Sequence, residues 1–153
     1  MWNYRIKKKI VFLFFYIKIL YNLIGDNMKD KLLKLLKNAY SPYYNFKVAA
    51  IVVTADDKEF GGVNVENANG TSICAERNAI SNAVSQGYKK GDFKEIYVML
   101  ENGIGTPCFA CRQVILEFME LDKKVICMDK EGNTKTYTVQ ELCPYPFSSE
   151  DLK

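Results

Sequence analysis

The sequence predicts an α/β fold in which helices pack around a mixed sheet. Two observations carry this. Short Val/Ile-rich runs alternate along the chain with longer segments of helical apolar spacing. The order of these runs is α-β-β-α-β-α-β-β followed by a tail, and alternation of this kind builds a layered sandwich. The length of 153 residues suits one domain, and 48% hydrophobic residues supply one core.

The first helix is expected over residues 29–39. Asp30 lies near its start, and Leu32, Leu33, Leu35 and Leu36 form its apolar face. It stops near Ser41-Pro42, because proline disfavours helix in the residue before it. The run "KVAAIVVTA" (47–55) reads as a buried strand, and Asp56-Asp57 as a turn. Residues 59–66 read as a second, antiparallel strand. A helix follows over 74–87, with Gly87 at its C-terminal cap. Residues 94–100 form a strand. Residues 108–120 form a helix entered through Pro107. Strands are expected at 124–128 and 134–139.

Residues 1–27 differ from the rest. They carry Arg5, Lys7, Lys8, Lys9 and Lys18 against Asp26, a net +4 that exceeds the whole-chain +3 and leaves residues 28–153 at −1. A near-neutral body lacks the basic stripe that a phosphate backbone needs, which points away from nucleic acid. The uncharged stretch Ile10–Ile17 is far shorter than the roughly 20 residues of a membrane-spanning helix. We expect residues 1–27 to be an over-called extension, or else a weak hydrophobic segment, and residues 28–153 to form the domain. No membrane association is expected.

The chain has five cysteines and no histidine. An odd cysteine count without an export signal argues against a disulfide scaffold. Without imidazole, any metal must be held by thiolates or carboxylates. Cys74 and the pair Cys108 and Cys111 fall at predicted helix starts. Spacing i, i+3 puts Cys108 and Cys111 on one helical face, and a helix N-terminus favours the thiolate. Two such starts facing each other would gather a zinc-type ligand set with a fourth position open for water, as catalysis requires. A closed four-cysteine site completed by Cys127 or Cys143 is the structural alternative, although both also suit plain core roles.

Glu76 lies two residues beyond Cys74, placed to take a proton from metal-activated water and pass it on. Its bland alternative is an acidic residue favoured by the helix dipole. Three thiolates on Zn²⁺ leave a formal charge of −1. Arg77 is the residue expected to return positive potential to the sulfurs, with Arg112 a second candidate.

Cys-Ala-Glu followed by Pro-Cys-x-x-Cys resembles the zinc deaminase signature, with Cys where many members have His. The finer likeness is to the small homotetrameric cytidine deaminases. It is carried by "YSPYYNFKVAA" (40–50), "GVNVENA" (62–68), "CAERNAI" (74–80), "PCFACRQVILEF" (107–118) and "CPYPFSSEDL" (143–152). The resemblance implies a cytidine deaminase-like three-layer α/β/α sandwich around a mixed five-stranded sheet. It implies zinc-dependent hydrolytic deamination of free cytidine and 2′-deoxycytidine in pyrimidine salvage, water attacking C4 with Glu76 as proton shuttle, in a cytoplasmic homotetramer.

The resemblance also assigns substrate contacts. Asn64 and Glu66 would hold the ribose 3′-hydroxyl, and on a strand i and i+2 share a face. Phe46 would pack on the pyrimidine, the Ala75 N–H would meet the base carbonyl, and Phe147 would enter a neighbouring subunit's site. Departures exist. Residues 67–73 are one residue shorter than the family form, with Asn69-Gly70 where an aromatic is common, and Phe109 replaces a usual glycine. A deaminase for blasticidin S or another base, and a non-catalytic zinc-stabilised interaction domain, are the rival readings.

Overall fold

A computed structural model describes residues 27–152. The expectation for the N-terminal extension therefore falls outside the described residues, except for Asn27. That residue caps the first helix, α1 (Met28–Leu36), its side chain accepting from Asp30 N at 3.0 Å. Helix α1 ends three residues earlier than expected. Asn38 N and Ala39 N reach back to the carbonyls of Leu35 and Leu36, tightening the chain into a turn before Pro42.

Five strands follow: β1 (Val48–Thr54), β2 (Glu59–Val63), β3 (Phe93–Leu100), β4 (Lys124–Met128) and β5 (Thr134–Thr138). Their order across the sheet is β2-β1-β3-β4-β5. Only β3 and β4 run parallel; the other pairings are antiparallel, so the sheet is mixed. The connections are α2 (Ala75–Ser85) between β2 and β3, and α3 (Phe109–Phe118) between β3 and β4. A short α4 (Val139–Leu142) follows β5, where only a tail was expected. Its start is a capping box: Thr138 Oγ1 accepts from Glu141 N, and Glu141 accepts from Thr138 N.

Strand β1 shows how the layers arise. All seven of its residues are buried. Ala49, Ile51 and Val53 face one cluster with Leu32 and Leu36 of α1. Val48, Ala50 and Val52 face the other, with Ala79 and Ile80 of α2 and Ile115 of α3. A strand with period-2 side chains covered on both faces reads as an unbroken apolar run. The result is the expected three-layer α/β/α sandwich.

Helix α2 lies unusually close to β2. A Cβ on Gly62 would stand 2.6 Å from Ala75 O and 2.8 Å from Asn78 C, and would also strike Ala79 N. Only glycine permits this approach. The amides of Asn78 and Asn82 donate to the carbonyls of Val63 and Gly61, both at 3.1 Å, lacing the helix to the edge strand. No helix of the described residues is long and apolar enough to cross a membrane.

Candidate active site

Both helix starts are built on cysteine. Cys74 is the N-cap of α2 and Cys108 the N-cap of α3, each with extended backbone and no side-chain capping bond. Their sulfurs are thus free to turn away from their own helices. Cys111 lies in the first turn of α3 and is fully buried. The sulfurs of Cys74 and Cys108 stand 3.9 Å apart, and those of Cys108 and Cys111 3.5 Å apart. All three lie within 4.8 Å of one another.

This cluster fits a single tetrahedral ion. Zn–S bonds of about 2.3 Å put neighbouring sulfurs about 3.8 Å apart, which the separations of Cys108 from Cys74 and Cys111 bracket. Among the described residues no fourth cysteine or carboxylate joins the group. The closed four-cysteine alternative finds no fourth sulfur here: Cys127 is buried in β4, and Cys143 points its sulfur at the Arg112 carbonyl, 3.8 Å away.

Burial pushes the Cys74 and Cys111 thiols up. Burial opposes ionisation at Cys108 as well. There, hydrogen bonds from Cys111 and Cys74 outweigh it and hold the thiol below its ordinary value. A cation that displaced the thiol protons would bind all three sulfurs.

Glu76 sits in the first turn of α2, 5% exposed. Burial pushes its carboxyl up, partly opposed by its own backbone N–H, the Cys111 thiol and the Arg77 charge. Arg77 donates to Ser72 O at 2.9 Å and places the same nitrogen 4.0 Å from Cys74 Sγ. Arg112 is occupied elsewhere: it donates to Pro107 O, Leu142 O and Thr106 Oγ1 and stacks 4.8 Å from the Phe109 ring centre.

A cavity of about 760 Å³ opens beside the sulfurs. Val48, Val98 and Leu100 line it from the adjoining ends of β1 and β3. Cys74, Ala75, Glu76, Thr106 and Cys108 form the metal end. Gly70, Ser72 and Ile73 come from the loop before α2, and Tyr44, Phe46, Asn64 and Glu66 complete the lining. No lysine or arginine lines it among the described residues.

The strand expected to carry Asn64 and Glu66 ends at Val63, so that part of the reading is corrected. Val65 instead bridges Tyr40 and Ile73, outside the ladder to β1. Asn64 Oδ1 accepts from Val48 N at 2.8 Å, and its Nδ2 donates to Phe46 O at 2.7 Å. Glu66 is 4% exposed, and its Oε2 accepts from Tyr43 N at 2.8 Å and Tyr44 N at 3.2 Å. Both side chains reach the cavity, yet each also ties down the segment that carries Phe46.

Phe147 does not line this cavity. It lies over α3, where its carbonyl accepts from Gln113, beside an exposed group formed by Phe109 and Tyr145. Tyr44, Val98, Leu100 and Thr106 are cavity residues that motif reading missed. Thr106 and Tyr44 had a signal, lying two residues before Cys108 and Phe46; Val98 and Leu100 become neighbours of the site only through the β1–β3 pairing.

Residues 25–129 match the family model described as the cytidine and deoxycytidylate deaminase zinc-binding region. The chain is 38% identical over 109 residues to a cytidine deaminase of Mycoplasma genitalium, covering 71% of this chain and 83% of that one. It is 44% identical over 117 residues to a probable cytidine deaminase of Dictyostelium discoideum, covering 74% and 77%. The crystal structure of cytidine deaminase from Burkholderia pseudomallei superposes with a TM-score of 0.75 at 38% identity, covering 78% of this chain and 96% of that one. The matched span includes all three clustered cysteines and Glu76, and the chain belongs to the cytidine and deoxycytidylate deaminase family of zinc-binding proteins.

Proposed function

We propose that this protein hydrolyses the 4-amino group of free cytidine and 2′-deoxycytidine, giving the uridine nucleoside and ammonia. The observation that carries this reading is the three-sulfur cluster beside a buried carboxylate, at the end of a cavity that no lysine or arginine lines among the described residues. Cys74, Cys108 and Cys111 would hold Zn²⁺, which supplies Lewis-acid activation of water.

The protein's own groups then have separate tasks. Glu76 accepts the proton of the attacking water and delivers it to N3 of the pyrimidine. It then assists departure of ammonia from C4. Its burial, which raises its proton affinity, suits a group that must both take and give a proton. Arg77 offsets negative charge at Cys74. The N–H of Ala75, at the first position of α2, has no partner within its helix and is free for the base carbonyl. The Phe46 ring packs against the base.

The sugar reading rests on hydrogen-bond capacity. Asn64 Nδ2 spends one hydrogen on Phe46 O and keeps one. Glu66 spends Oε2 on two backbone donors and keeps Oε1. One donor beside one acceptor matches a hydroxyl, which accepts from the amide and donates to the carboxylate. A dianionic phosphate has no hydrogen to donate, and it would face two carboxylates with no lysine or arginine among the described lining residues. Phe147, exposed over α3 beside Phe109 and Tyr145, would contribute to a neighbouring copy's site in a cytoplasmic homotetramer.

The direct test is the absorbance change for cytidine, deoxycytidine, deoxycytidylate, adenosine and blasticidin S, with and without a zinc chelator. Chelator-sensitive turnover of the two free nucleosides is expected. Stoichiometric zinc without any deamination would overturn the reading in favour of a zinc-stabilised interaction domain.

A further inference from the structure

Asn45 and Asp57 are the non-glycine residues with positive φ among the described residues. Asp57 belongs to the tight β1–β2 turn, where such backbone is ordinary. Asn45, at φ 49°, immediately precedes Phe46 in the cavity wall.

The chain on either side of Asn45 is pinned. Before it, Tyr43 N and Tyr44 N donate to Glu66 Oε2, and Asn45 N closes a turn onto Ser41 O at 3.1 Å. After it, Phe46 O and Val48 N are held by the two ends of the Asn64 amide. The two clamps are separate side chains, and Asn45 is the joint between them. Its own side chain is exposed, makes no hydrogen bond among the described residues and does not line the cavity. Its contribution is therefore its backbone conformation.

We infer that Asn45 is a positioning residue whose left-handed backbone sets Phe46 against the cavity. The inference rests on the reading of Phe46 as a wall for the base. Asparagine and aspartate enter this region more readily than other residues with a Cβ, and β-branched residues least of all. A valine at 45 must relax towards negative φ. With Tyr44 and Val48 clamped on either side, that rotation displaces Phe46 and strains the clamps. Glycine adopts the left-handed conformation without penalty and needs no side chain to do so.

The test compares zinc-loaded wild type, Asn45→Val, Asn45→Ala, Asn45→Gly and Phe46→Ala. It reads KM and kcat for cytidine, and amide hydrogen exchange at Tyr43, Tyr44 and Val48. Asn45→Val should raise KM by about tenfold with kcat within about twofold, Asn45→Ala less so. Asn45→Gly should recover the wild-type KM, and Phe46→Ala should match or exceed the valine effect. Exchange at the clamped amides should quicken in the valine variant and stay slow in the glycine variant. The alanine variant carries the comparison if the valine variant does not fold.

An unchanged KM in both valine and alanine variants overturns the inference. So does a glycine variant as impaired as valine, since that would assign the role to the side chain. A wild type inactive on cytidine sinks the functional reading instead, and the exchange pattern still judges Asn45.

Discussion

Glu76 combines burial with a place in the first turn of a helix whose cap is itself one of the clustered cysteines. Glutamine keeps its size and removes its capacity to shuttle a proton. Glu76→Gln should therefore lose about 10²- to 10⁴-fold in turnover while keeping zinc content and melting temperature. Activity close to wild type, in an absorbance assay alongside metal analysis, would remove Glu76 from its role. At this scale the sequence was informative about the metal end. Spacing i, i+3 places Cys108 and Cys111 on one face, and Cys74 beside Glu76 marks the second helix start. It was less informative about Asn64 and Glu66. Their alternation with Val65 looks like a strand, but their side chains bond to the backbone of residues 43–48, some twenty positions away. No local pattern encodes that pairing.

Among the elements, α2 depends on the bare backbone of β2. Gly62→Ala pushes a methyl group into the first turns of α2, the part that carries Cys74 and Glu76. Overpacking of this kind costs about 1–3 kcal/mol. Denaturant unfolding should show that loss together with weaker zinc retention; unaltered stability would mean the helix can retreat freely. The β4–β5 turn offers a pH-dependent counterpart. The Asn133 side chain, 2.8 Å from Asp129 Oδ2, leads in holding that carboxyl below its ordinary value, with the N–H groups of Asn133 and Gly132 assisting. A depressed folded-state value stabilises the fold above the ordinary carboxylate range, and the contribution disappears as pH falls through the folded value. Asp129→Asn should therefore lose less melting temperature than wild type between pH 7 and pH 3. Helices α1 to α3 and strands β1 to β4 were legible from their apolar pattern, and β5 from its threonine-rich run. Helix α4 was not, because four residues carry no period; its Thr138-to-Glu141 capping box was the available signal.

For the whole molecule, the sulfur cluster joins two helices on one face of the sheet, so metal binding contributes to folding as well as chemistry. Chelation should lower the melting temperature and added zinc should restore it. Cys108→Ala should start near the chelated value and gain little from zinc; full metal-dependent stabilisation in that variant would exclude Cys108 as a ligand. The layered architecture could be read from the sequence because β1 is apolar at every position but its terminal Thr54, which demands cover on both sides. The sheet order β2-β1-β3-β4-β5 could not, since strand neighbours are chosen by the packing of the whole chain. The asparagines lacing α2 to β2 have a further consequence. With the carbonyls of Gly61 and Val63 already accepting from α2, a stray strand from another polypeptide finds fewer open acceptors on that flank. At the opposite edge, β5, the exposed Lys135 supplies a charge that discourages growth of the sheet.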